Sequence, residues 1–121
     1  MSQLEIVRLR ILDLHRALLA VEREDYERLH GRVTGTAFLQ ALTGDPAFAW
    51  LRPLTSLIVT LDEMLEAAAD LAESDRVDGI AHIRALLAPD ENGNEFQRRY
   101  ADALQQSPHV LLAHGAVVRA L

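Results

Sequence analysis

The segment Gly44–Leu65 reads GDPAFAWLRPLTSLIVTLDEML. It contains the single tryptophan, two of the four prolines, and a dense apolar run followed directly by acidic residues. Asp45-Pro46 has the grammar of an N-cap followed by a first helical residue: the carboxylate can accept an orphan backbone N–H, and proline has none to lose. One turn over Ala47–Leu51 then carries Phe48 and Trp50. Pro53 disfavours the α region for Arg52, so a second break is predicted there. From Pro53 to about Glu73, apolar positions recur at Leu54, Leu57/Ile58, Leu61, Met64/Leu65, Ala68 and Leu71. Steps of three and four place them on one helical face. Ile58 and Val59 favour strand, but the spacing and the following alanines favour helix. The segment therefore divides into a proline-marked corner, Asp45–Arg52, and a core helix.

Upstream, Leu4–His30 carries the clearest helical stripe, Leu4, Val7, Ile11, Leu14, Leu18 and Val21. Continued strictly, that repeat would bury Asp25 and Arg28, so it must slip, with Tyr26 and Leu29 taking over. The slip draws Glu22 inward, one turn from Leu18 and Tyr26, and His15 lies two turns earlier. His15, Glu22 and Tyr26 then form a polar column beside the apolar seam. Gly31 and Gly35 bracket the helix end and suit positive φ. Thr36 is the predicted cap of a short helix, Ala37–Thr43, with Phe38, Leu39 and Leu42 inward and Gly44 as its stop.

Downstream, Ser74 or Asp75 is the predicted cap of a helix over roughly Arg76–Leu87. Its inner side is Val77, Ile80, Ile83 or Arg84, and Leu87. Pro89–Asn94 (PDENGN) is a turn by composition. Asn94 and Gln97 have capping-box spacing and start a helix with Phe96, Tyr100, Ala103 and Leu104 on its buried face. Ser107-Pro108 repeats the cap-plus-proline grammar. It either kinks this helix or begins a new one over Pro108–Ala120. That last segment is apolar around most of its circumference, through Val110, Leu111, Leu112, Val117, Val118 and Leu121, a pattern that suits packing on two surfaces.

At 121 residues the chain is one domain, 1–121, long enough for a real core. Half its residues are apolar and six are aromatic, so Leu, Val, Ile and Ala must fill that core, as suits helix packed on helix. The fold class read from this is all-α: an antiparallel four-helix-bundle-like domain with short extra helices at the corner between the first two long helices. Net charge is −6, which favours solubility and argues against phosphate binding. All twelve basic residues are arginine, which excludes lysine Schiff-base and P-loop lysine chemistry. The absence of cysteine excludes disulfides, thiolate nucleophiles and Cys-ligated zinc. The N-terminus mixes charges into its apolar residues and has no signal-peptide core. The longest nearly uncharged apolar runs, Leu54–Leu61 and Val110–Val118, are too short to span a bilayer. A cytoplasmic location is the default expectation.

Three segments, DPAFAWLRPLTSLIVTLDE, LLAPDENGNEFQRRYADALQ and SPHVLLAH, give the chain a resemblance to a group of small uncharacterised bacterial all-helical proteins. These share a DPAFAWLRPLS-type segment, a PDEDGSEF-type turn and a DP-type restart before the last helix. The resemblance runs from about His15 to His114. Ser107 stands where such chains often have Asp, and serine caps equally well. The resemblance implies an all-helical fold and a bacterial source. It implies no activity and transfers no catalytic residue.

Several constellations have known chemical uses. Glu27-x-x-His30 has the spacing of ferritin-like di-iron helices, but those sites need a second copy, and none of the other histidines has Glu three residues before it. A solvated helix end, with His30 near the negative dipole end, accounts for the pair. Hemerythrin-type histidine spacing is absent. Asp90–Glu95 superficially matches a calcium loop, but its sixth position is Glu95 rather than Gly and its twelfth is Ala101. No Gly-rich phosphate loop and no suggestive serine triad occur. Arg98-Arg99 beside Tyr100 is too small a basic patch for nucleic acid.

What remains is a pocket candidate: the column His15, Glu22 and Tyr26, completed by Arg52 and Asp62 or Glu63. Phe38, Phe48, Trp50 and Tyr26 either wall an apolar pocket beside it or close one end of the core. A polar network that fixes helix register, or a half-exposed flank, is the simpler account of the column, and core packing is the simplest role for Trp50. No catalytic residue, metal ligand or cofactor is expected. The leading functional expectation is a non-enzymatic interaction module, homodimeric through the C-terminal helix, with no nucleic-acid or membrane partner. The alternative is a bundle that binds a small apolar ligand or a metal through the His/Glu/Tyr column.

Overall fold

The computed structural model describes all residues 1–121 and is all-helical, with six α-helices, a 3-10 turn and no strand. The helices are α1 (Gln3–His30), α2 (Gly35–Gly44), α3 (Arg52–Glu66), α4 (Glu73–Leu86), α5 (Glu95–Gln106) and α6 (Pro108–Ala120), with the 3-10 turn at Pro46–Leu51.

Helix α1 is the longest element and buries the stripe Leu4, Val7, Ile11, Leu14, Leu18 and Val21. It starts with a capping box that the sequence spells as Ser2-Gln3-Leu4-Glu5: Ser2 Oγ accepts the Glu5 N–H, and the Glu5 carboxylate reaches back to Ser2. Helix α6 runs antiparallel along it. At one end Gln3 Nε2 donates to the Ala120 and Leu121 carbonyls, and at the other Gln106, just before α6, reaches Asp25. Helix α3 is antiparallel on another side, with Asp62 paired to Arg8 at its far end and Arg52 beside His15 at its start. Helices α5 and α6 form a hairpin. Ser107 is extended (φ −127°, ψ 116°) and its hydroxyl caps α6 at the Val110 N–H, so Pro108 begins a separate helix rather than kinking one.

A single apolar cluster joins the α1 stripe to Leu54, Leu57 and Leu61 of α3, Ile80 and Ile83 of α4, Phe96 and Tyr100 of α5, and Val110 and Val117 of α6. Tyr100, Ile11 and Leu14 are among its fully enclosed side chains.

The corner between α1 and α3 differs from its sequence reading in three ways. Thr34, not Thr36, caps α2 by accepting the Ala37 N–H, so Gly35 is a helical residue. Only Gly31 has positive φ (79°). Arg52 is helical (φ −54°, ψ −40°), and the 3-10 turn passes into α3 without the break expected at Pro53. The geometry explains the tolerance. In a continuous α-helix the residue-53 N–H would bond to the Ala49 carbonyl; here the Arg52 N–H takes that carbonyl in 3-10 register, so proline leaves nothing unpaired.

Two helix boundaries and three apolar positions also depart from expectation. Helix α3 ends at Glu66, not Glu73, and Ala67–Asp70 form turns. Ala67, Ala68 and Ala69 face solvent, so nothing is buried to hold a further turn helical. Helix α4 starts earlier than predicted, after Ala72, with no side-chain cap. Glu73 and Asp75 in its first turn complement the helix dipole instead. Leu29, Leu39 and Val77 were assigned inward by periodicity and are exposed, Leu29 to 82%. Each lies at a helix end or on a short helix that no neighbour covers on that side.

The two glycines at the first corner give opposite expected outcomes. Gly31, at φ 79° and ψ 174°, occupies a region that is essentially glycine's own, so Gly31→Ala is expected to lower unfolding free energy by about 1–3 kcal/mol. Gly35 begins α2 with open space around its Cα, so Gly35→Ala is expected to raise it by about 0.4–1 kcal/mol. Urea denaturation of both variants checks the pair.

Candidate functional site

The six candidate residues do not converge; the structure distributes them over four environments. Asp62 pairs with Arg8 in a surface cleft with Glu5, Leu65 and Glu66. Ten residues of α3 separate it from Arg52, about 15 Å at the helical rise. It therefore cannot complete a site with His15.

Tyr26 joins an aromatic cluster at the corner. Its ring lies 5.7 Å from Phe48, 6.3 Å from Phe38 and 4.4 Å from His30. Phe38 and Phe48 meet edge to face at 5.6 Å, and the Arg23 guanidinium covers Phe38 at 5.6 Å. Glu27, whose spacing to His30 invited a metal reading, accepts the Val33 N–H instead, and His30 is exposed. No group of three or more His, Asp or Glu side chains is arranged to hold a metal ion.

Trp50 belongs to the main core rather than to that cluster. It packs 5.7 Å from Phe96, which stacks on Tyr100 at 5.6 Å. Its exposure is 4%, too little for a partner-facing anchor. The Arg99 guanidinium lies over the indole at 5.8 Å. The indole Nε1 is buried and has no hydrogen-bond partner; the half-buried Glu22 lies nearby on α1. Partial burial pushes the Glu22 carboxyl pKa upward. Arg99 and the indole N–H oppose that shift, and the Asp25 carboxylate adds to it. Glu22 thus sits at the core edge near Trp50 and Arg99.

A further polar pair was not anticipated from sequence. The Tyr100 hydroxyl and His114 Nδ1 are 2.5 Å apart, one on each arm of the α5–α6 hairpin. Burial raises the Tyr100 pKa and lowers that of His114, so tyrosine donates and neutral imidazole accepts. Their fourteen-residue separation carries no local signal; only the hairpin brings them together.

His15 and Arg52 are the two candidates that do share a cavity. It is a cleft of about 680 Å³ between α1, the end of α2, the 3-10 turn and the start of α3. Leu19, Leu42, Phe48 and Leu51 provide its apolar lining, and burial lowers the His15 pKa, favouring neutral imidazole. Its size is that of small-molecule sites.

The histidines make stability pH-dependent. His15 and His114 have pKa values below the ordinary 6.5 in the folded chain, so the unfolded chain binds protons first as pH falls. Stability is therefore full above about pH 6.5 and declines below it, until the folded histidines also protonate. Glu22 acts oppositely: its raised pKa costs stability as pH rises from its ordinary 4.5. Urea titrations from pH 7.5 to about 5 should show a shallower decline in His114→Gln than in the parent chain. Because partial burial disfavours the Glu22 carboxylate, Glu22→Gln should be neutral or slightly stabilising in urea denaturation at neutral pH and should remove the stability loss that Glu22 contributes as pH rises from 4.5; a clear loss of stability in that variant would contradict it.

No protein-family model, curated protein or solved structure matches the chain, so the functional reading rests on its own geometry.

Proposed function

We propose that the chain is a non-enzymatic, cytoplasmic interaction module that pairs weakly with a second copy of itself through α6. In this reading α1, α3, α5 and α6 make an antiparallel four-helix-bundle-like frame, with α2 and the 3-10 turn at one corner and α4 packed on α3. The supporting observation is the uncovered side of α6. Val110 and Val117 face the core, while Leu111 and Val118, two turns apart, are 54% and 50% exposed, and adjacent Leu112 is 70% exposed. A helix with apolar residues on its outer side gains by burying them. An isologous pairing would set the same stripe from both copies together. Three half-exposed side chains supply only part of the roughly 800 Å² per partner of a standard interface, so the association is weak. No helix is long and apolar enough to cross a membrane.

Removal of α6 is not a clean test, because Val110 and Val117 complete the core. Sedimentation equilibrium of the full chain over micromolar concentrations is expected to show a monomer–dimer mixture. The double variant Leu111→Arg/Val118→Arg should be monomeric with an unchanged circular dichroism spectrum. A parent chain monomeric throughout, or a variant that dimerises equally well, would overturn the proposal.

A further inference from the structure

We infer that the cleft between α1 and the start of α3 is a binding site for a small monocarboxylate with an apolar body, held by Arg52 and His15. The inference is independent of self-association, since none of the cleft residues lies on α6.

Three observations combine. First, the cleft is the size of a ligand site and has apolar surface at depth: Phe48 and Leu51 are buried, and Leu19 and Leu42 are half-buried along its sides. Second, its cation has no protein acceptor. The Arg52 guanidinium makes no salt bridge, hydrogen bond or ring contact, whereas those of Arg8, Arg23, Arg28, Arg76 and Arg99 do. A guanidinium presents parallel N–H groups that match the two oxygens of a carboxylate. Third, His15 of α1 lines the same cleft as Arg52. Neutral His15 has a ring N–H available as a further donor, with no protein partner of its own.

The acid that lines the same cleft is held by the backbone and forms no ion pair with Arg52. Asp45 uses a carboxylate oxygen to accept the Ala47 N–H at 2.9 Å, which turns it toward the start of the 3-10 turn. The Thr55 hydroxyl donates to the Leu51 carbonyl and is likewise occupied. The donors left for a ligand are Arg52 and His15. They sit beside apolar surface, so the chemistry recognised is one anionic head on an apolar tail or ring.

Octanoate is a suitable probe, and 1-octanol is the comparison with the same chain and no charge. In ¹H–¹⁵N spectra of the full chain, octanoate is expected to give saturable shifts at the amides of Leu42, Gly44, Ala49 and Leu51. Octanol should bind at least tenfold more weakly, on the order expected for loss of a charge-assisted hydrogen bond. Arg52→Gln should weaken octanoate by a similar factor, and Arg52→Lys, which keeps the charge and loses the fork, by less. Arg52 is exposed, so both variants should keep the parent spectrum without ligand. Absence of saturable shifts at those amides at millimolar octanoate would overturn the inference. So would equal affinity for octanol, or octanoate binding that Arg52→Gln leaves unchanged.

Discussion

The structure depends on one continuous seam. Six residues of α1, from Leu4 to Val21, lie on a single face and are all buried, and α3, α4, α5 and α6 each contribute side chains to the cluster built on that face. A stripe of this length holds several partners at once, because each turn of α1 presents another apolar residue to the core. The N-terminal end of the seam is fixed by polar contacts that also satisfy helix termini. Ser2 and Glu5 close the N-terminal donors of α1, and Gln3 caps the last carbonyls of α6. The exposed ion pairs on α1, such as Arg16 with Asp13 at 3.7 Å, add little beside this, since such pairs contribute on the order of 0.3–0.5 kcal/mol each.

Elements whose boundaries are set locally were legible in the sequence. The α1 stripe, the Asn94–Gln97 box, the Asp45-Pro46 start and the Ser107 cap all appear as read, because each depends on residues within one or two turns. Features that depend on what covers a surface were not legible. Periodicity carried α3 on to Glu73, but the chain leaves the helix where α3 has nothing further to bury. Periodicity also assigned Leu29 and Val77 inward, although no neighbouring helix reaches them. The candidate site failed for the same reason. Spacing placed His15, Glu22 and Tyr26 on one column, and they do lie along α1, yet each faces a different neighbour: the cleft, Trp50 and the aromatic cluster. Asp62 shares a helix with Arg52 but occupies its opposite end. Spacing along a helix shows which residues share a face and says nothing about which partners that face meets at each level.

The corner gains meaning from its backbone. A proline after Arg52 would ordinarily force an extended residue and a kinked path. The 3-10 turn instead lets the Arg52 N–H satisfy Ala49, and the chain enters α3 without a gap. This places Trp50 and Leu51 in the core while Arg52, the next residue, stays exposed at the cleft. The two prolines therefore divide successive residues between core and cleft, a sharper division than one longer α-helix would make.

The exclusive use of arginine also has structural consequences. Arg99 lies over Trp50 and Arg23 over Phe38, cation–ring contacts in which a weakly hydrated guanidinium is favoured over an ammonium. Arg23 also donates to the Val33 carbonyl, Arg76 to Gln3 and Arg84 to the Leu121 carbonyl, so arginine forks join chain segments distant in sequence. In each case the guanidinium has an acceptor or a ring that accounts for its place. Arg52 has neither, yet it lies on the same cleft as four apolar side chains and a neutral histidine. Arg52 is exposed, so its guanidinium stays hydrated and free to pair. The partner proposed for it carries a carboxylate for the fork and an apolar body for the cleft, and this corner, unlike the dispersed column on α1, sets both features in one cleft.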